Sequence, residues 1–141
     1  MHKLLSIQTA CTIALAAWFI PNAFAKPLKM SANTRQAEIL TKRAVAANLI
    51  VESEEALSLC QAALSKDSSF APAYIARAEA YKSLGKTDAA LADLTKASQS
   101  ANIGQRCKAL RERASLYIVL KRYQEALADL NIVIGKQGSD G

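Results

Sequence analysis

The sequence predicts an all-α protein built as an array of three stacked helix-turn-helix hairpins, and three observations carry that reading. First, one pattern of residues recurs along the chain. The pentapeptide ALADL at Ala90–Leu94 returns intact at Ala126–Leu130. Arg77-Ala78, Tyr81 and Leu84 return as Arg113-Ala114, Tyr117 and Leu120, each 36 positions on (126 minus 90). Upstream, Arg43-Ala44 and Ala56-Leu57 precede Arg77-Ala78 and Ala90-Leu91 by 34. Second, large residues (Tyr74, Tyr81, Leu84, Leu91, Leu94) recur three and four apart, so that each helix gains one apolar face. Third, small residues (Ala78, Ala90, Ala97) fall where two helices must approach closely. A period of this length with two helices in it signals hairpins stacked in a row.

In chain order, residues 1–25 read as a targeting segment. His2 and Lys3 open it, Leu4 to Ile20 is mostly apolar, Pro21 breaks it, and Ala23-Phe24-Ala25 is a small-x-small cleavage site. An uncleaved anchor over Leu4 to Ile20 is the alternative; its 17 residues fall short of the roughly 20 a span needs. Residues 26–33 read as a polar linker. The first helix is expected from Thr34 to Ile50. Ser53 reads as the N-cap of the second, with Glu54 and Glu55 in the first turn where the helix dipole favours acids; it runs to Ser65. After the turn Lys66-Asp67-Ser68-Ser69, Pro72 suits the first turn of the third helix, which Gly85 closes in a left-handed cap. The fourth helix runs from Thr87 to Gln99, the fifth from Arg106 to Leu120 and the sixth from Tyr123 to Ile134, before a polar tail expected to be disordered over 136–141.

At these residues the chain resembles the tetratricopeptide-repeat family, from about Ala37 to Ile134. The middle copy has Tyr74, Ala78, Tyr81, Leu84-Gly85, Ala90, Leu94 and Ala97 at the family's large and small positions. The third has Leu110, Ala114, Tyr117, Leu120, Ala126, Leu130 and Val133, with Lys121 in place of the family's glycine. The first has Leu40, Ala44, Ala47, Ala56, Cys60 and Ala63, with Val51 in that place. The resemblance implies a right-handed superhelical array over residues 34–135, with repeats at about 37–70, 71–104 and 107–140. It also implies that the first helix of each pair lines a concave groove for a protein or peptide partner. The groove-facing stripe is then Glu38, Thr41, Val45 and Asn48, followed by Ile75, Glu79 and Lys82, and by Lys108, Arg111, Ser115 and Ile118. Lys108 and Arg111 suggest a two-point grip on an acidic segment. The family's clamp for chaperone C-termini is not expected, because Thr41, Val45, Ala76 and Glu112 stand where it needs Lys, Asn, Asn and Arg.

The chain has 141 residues, enough for one domain, and a net charge of +6; without residues 1–25 it keeps 17 basic and 12 acidic residues, or +5. That modest excess is not the dense basic footprint of a nucleic-acid binder. The only histidine, His2, lies in the leader, so no nucleophile has an imidazole base in the mature chain. No phosphate loop, cofactor site or metal site is legible; Cys60 and Cys107 lie a whole hairpin apart, and free thiols are expected. An enzyme is not expected.

Two further expectations concern charges and ends. Arg77 with Asp93, and Arg113 with Asp129, are each 16 apart and equivalent in two copies, so each pair should close its own hairpin; copy one has Arg43 but Leu59. The last helix carries Leu127, Leu130, Ile132, Val133 and Ile134 on more than one side. Uncovered apolar surface of this kind seeks a partner or a second copy. The reading is thus an exported adaptor or assembly factor, periplasmic or secreted after cleavage near Ala25, with a self-assembling subunit and a membrane-anchored scaffold as alternatives.

Overall fold

The structure is a computed structural model and describes residues 30–137. The expected leader with its cleavage site, the first half of the linker (26–29) and the last four residues of the tail lie outside the described residues. Six helices occupy the described chain, with no strand among them: α1 (Ala32–Leu49), α2 (Ser53–Lys66), α3 (Ala71–Ser83), α4 (Thr87–Ala97), α5 (Ile103–Val119) and α6 (Tyr123–Gln137). Consecutive pairs pack as hairpins: α1 on α2, α3 on α4, α5 on α6. Each second helix then packs on the next first helix, α2 on α3 and α4 on α5. The first helices also touch in sequence, α1 on α3 and α3 on α5. This is a helical-hairpin array, and it places α1, α3 and α5 side by side.

The core is mostly alanine, and its clusters sit at the junctions. Ala44, Ala47, Ala56 and Cys60 of the first hairpin bury against Ala76 and Ala80 of α3. Ala78, Ala90 and Leu94 of the second bury against Leu116 of α5. The largest side chains buried almost completely are Leu94 and Cys60, which occupy equivalent positions (94 minus 60 is the 34-residue period). Small side chains let the helices approach closely. Because each apolar face is covered by the neighbouring hairpin, stability depends on the stack.

The three hairpin turns are built alike. The amide N–H of Gly85 donates to the Lys82 carbonyl (3.0 Å) and that of Lys86 to the Tyr81 carbonyl (2.8 Å), the paired bonds of a Schellman cap. Lys121 and Arg122 repeat this on Ile118 and Tyr117 (2.9 and 2.8 Å), and Val51 and Glu52 on Asn48 and Ala47 (3.3 and 3.0 Å). All three residues at the turn take positive φ: 70° at Gly85, 66° at Val51 and 59° at Lys121. The two copies that lack glycine therefore keep the glycine conformation, because both backbone bonds require it.

Several boundaries differ from expectation, each for a local reason. Ser53 is not an N-cap: it is the first helical residue and is buried, and Glu52 at the cap position makes no side-chain capping bond. Ser31 instead caps α1, its hydroxyl accepting from the Thr34 amide at 3.0 Å, so the helix takes in the end of the expected linker. Asn102 caps α5 by accepting from the Gln105 amide at 3.0 Å, which starts that helix at Ile103 rather than Arg106. The α2–α3 turn is held by Asp67. Its carboxylate accepts from the Ser69 amide and hydroxyl (3.0 and 2.7 Å) and from the Thr34 hydroxyl of α1 (2.9 Å).

Candidate functional site

The side-by-side first helices enclose a cleft of about 400 Å³, and every residue that lines it belongs to α1, α3 or α5. Thr41, Val45, Asn48 and Leu49 come from α1; Pro72, Ile75, Ala76 and Glu79 from α3; Gln105, Lys108 and Glu112 from α5. Val45 and Leu49 present exposed apolar surface, and Ile75 is mostly buried behind them. Asn48 is fixed in place, its Nδ2 donating to the Ala76 carbonyl at 2.9 Å. Its Oδ1 is buried without a donor among the described residues, a costly state for an amide oxygen.

The charges of the cleft nearly cancel. Lys82 Nζ donates to Glu79 Oε2 (2.8 Å) and Glu112 Oε2 (3.3 Å), tying α3 to α5. Burial works against the charge of Lys82, but these two carboxylates outweigh it and raise its pKa. Lys108 lines the cleft and has no ion-pair partner among the described residues.

Of the expected stripe, Thr41, Val45, Asn48, Ile75, Glu79 and Lys108 line the cleft, and Lys82 stands beside it through its ion pairs. Arg111, Ser115 and Ile118 are exposed on α5 but do not line it, and Glu38 pairs with Lys42 on α1 (2.8 Å). The reason is a slip of register. In the numbering of the middle hairpin, the lining starts at 75 for α1 (41 plus 34), at 72 for α3 and at 69 for α5 (105 minus 36). The cleft thus crosses the helices obliquely, moving by three residues, nearly one turn, per hairpin. A stripe drawn at constant repeat position misses Gln105 and Glu112. Both lie on the Lys108 face by helical spacing, three before it and four after. The basic two-point grip of Lys108 and Arg111 is accordingly not assembled in the cleft, where Glu112 replaces Arg111.

Both intra-hairpin ion pairs form as bidentate forks. Arg77 Nε and Nη2 donate to Asp93 Oδ2 and Oδ1 at 2.7 and 2.8 Å; Arg113 Nε and Nη2 donate to Asp129 at 2.8 and 2.6 Å. Asp93 and Asp129 are buried, and hydrogen bonds to them raise the pKa of each arginine. Arg77 also lies over the rings of Tyr74 and Tyr81, at 5.6 and 6.0 Å. Arg113 Nη1 reaches back to the Thr95 hydroxyl of α4 at 2.9 Å, which joins the second and third hairpins. None of these four charged groups lines the cleft. Cys60 and Cys107 are free thiols, and burial pushes the Cys60 thiol up to about 12.

On α6, Tyr123, Leu127, Ile132 and Ile134 are exposed, whereas Leu130 is half-buried and Val133 is buried. Val133 is therefore not part of an exposed face. Among the described residues no helix is long and apolar enough to cross a membrane. No protein-family model and no curated protein matches this chain.

Proposed function

We propose that this chain is an exported, non-enzymatic interaction module of the tetratricopeptide kind, an adaptor or assembly factor that holds a segment of another protein in the cleft between α1, α3 and α5. The observation that carries the reading is the composition of that cleft. All of its lining comes from the first helices of three hairpins, with exposed apolar side chains (Val45, Leu49) beside anchored polar ones (Asn48, Glu79) and a lysine, Lys108, without an ion-pair partner among the described residues. An apolar wall with a few fixed polar groups suits a peptide better than a small charged metabolite. The near-cancellation of charge around Lys82 favours a segment with an apolar anchor and a single carboxylate for Lys108 over a strongly acidic one. Export is supported by the sequence of residues 1–25 alone.

The test is selection of binding peptides from a displayed random library against the full chain, followed by titration of one labelled peptide into variants. Val45→Glu places a charge on the apolar wall at an exposed position, so the fold is retained; affinity should fall at least about tenfold. Leu127→Glu, remote on α6, should leave affinity unchanged. Equal affinity for wild type and Val45→Glu would remove the cleft as the binding surface.

A further inference from the structure

We infer that copies of this chain associate head to tail, the outer face of α6 in one copy receiving the outer face of α1 in the next. This goes beyond the cleft reading and does not depend on it. The warrant is that the same junction already occurs twice inside the chain. At the first junction Leu57 and Leu64 of α2 pack in the clusters that hold Ala80 and Ala73 of α3. At the second, Leu91 of α4 packs in the cluster that holds Leu116 of α5, and Ala97 with Ala109. The receiving positions continue at Leu127 (91 plus 36) and Ile134 (64 plus 34 plus 36), which are 54% and 65% exposed. The docking positions begin at Ile39 (73 minus 34) and Ala46 (80 minus 34), both exposed, Ile39 at 60%. Each end of the array thus displays one half of the contact that its interior completes.

A polar group follows the same register. At the second junction Arg113 donates to the Thr95 hydroxyl of the preceding hairpin. The counterparts are Arg43 (113 minus 70, the two periods together) and Asn131 (95 plus 36). Both are exposed, and Arg43 has no ion pair among the described residues because Leu59 stands where its aspartate would be. The Asn131 amide oxygen is a ready acceptor for Arg43 of the next copy. Ile39 is bulkier than the alanines it corresponds to, Ala73 and Ala109, so the helices at this seam stand wider apart than inside the chain. A contact between two different faces does not end at a dimer; it propagates into rings or filaments.

The test uses two variants of the full chain at exposed positions, Ile39→Arg to block one end and Leu127→Glu to block the other, with helicity checked by circular dichroism. By light scattering, wild-type mass should rise with concentration beyond that of a dimer. Each variant alone should remain monomeric, and an equimolar mixture should form a one-to-one dimer, because each supplies the end the other lacks. Arg43→Ala should weaken association about tenfold, as expected for loss of a charged hydrogen bond. If Ile39→Arg associates as wild type does, α6 meets another α6 or some other surface. If the mixture stays monomeric, or wild type is a monomer throughout, no head-to-tail contact exists. Either result overturns the inference.

Discussion

Replacing Val51 by glycine should make the protein more stable, although it removes an apolar side chain. Val51 holds φ at 66° to close the first hairpin turn, where Gly85 holds 70° in the second. A left-handed conformation costs an L-residue about 1–2 kcal/mol, and a β-branched one lies at the upper end. Glycine removes that cost but brings greater freedom to the unfolded chain, worth about 0.5–1 kcal/mol. The valine side chain is 79% exposed, so little burial is lost. The difference is a net gain of about 1–1.5 kcal/mol. Lys121→Gly, unbranched and at φ 59°, should gain less, near 0.5 kcal/mol. Gly85→Ala is the reverse control. A Cβ there meets nothing within 4 Å, so its cost of about 1 kcal/mol is purely conformational. Urea unfolding followed by circular dichroism reads all three as midpoint shifts at constant slope. If Val51→Gly lowers the midpoint while Gly85→Ala leaves it unchanged, the shared-turn reasoning is wrong.

Three other outcomes follow from the geometry. Asp129→Ala strands Arg113 in a mostly buried place and should cost about 2–3 kcal/mol, whereas the double variant with Arg113→Ala should cost less than the sum of the singles; a cycle of unfolding curves measures that coupling. Cys60, buried with its thiol pushed up to about 12, should resist alkylation near pH 8 until the chain unfolds, while half-buried Cys107 reacts, as peptide mass mapping would show. The Asp67 carboxyl is held below its ordinary 3.8 by hydrogen bonds from Ser69 and Thr34. Its folded pKa lies under the unfolded one, so its contribution is present above about pH 4 and lost as pH falls through the folded value. Thr34→Val should therefore lower stability at pH 7 by less than about 1 kcal/mol, and the difference should shrink as pH falls through the folded value.

The array was legible in the sequence because repetition is a long-range signal. The 34- and 36-residue periods fixed the order of hairpins, the shared small positions and both arginine–aspartate forks, since equivalent residues meet equivalent neighbours. Capping was less legible. Ser53 followed by Glu54 and Glu55 is a good local capping signal, yet Ser53 is drawn into the helix and buried, while Ser31 and Asn102 cap through local bonds to the amides three residues on, so residue type alone does not decide which site caps. The cleft was legible as to its helices but not its register. Constant repeat positions would place Arg111 in the cleft, and the oblique crossing places Gln105 and Glu112 there. That offset is a property of how hairpins rotate on one another, which residue spacing does not encode.

Amide chemical-shift mapping of the labelled chain with a selected peptide decides whether the proposed binding surface lies on the first helices. The largest shifts are expected in three separated stretches, 41–49, 72–79 and 105–112, with α2, α4 and α6 little changed. Shifts concentrated on α6, or on α2 and α4, with those three stretches unmoved, would contradict that placement.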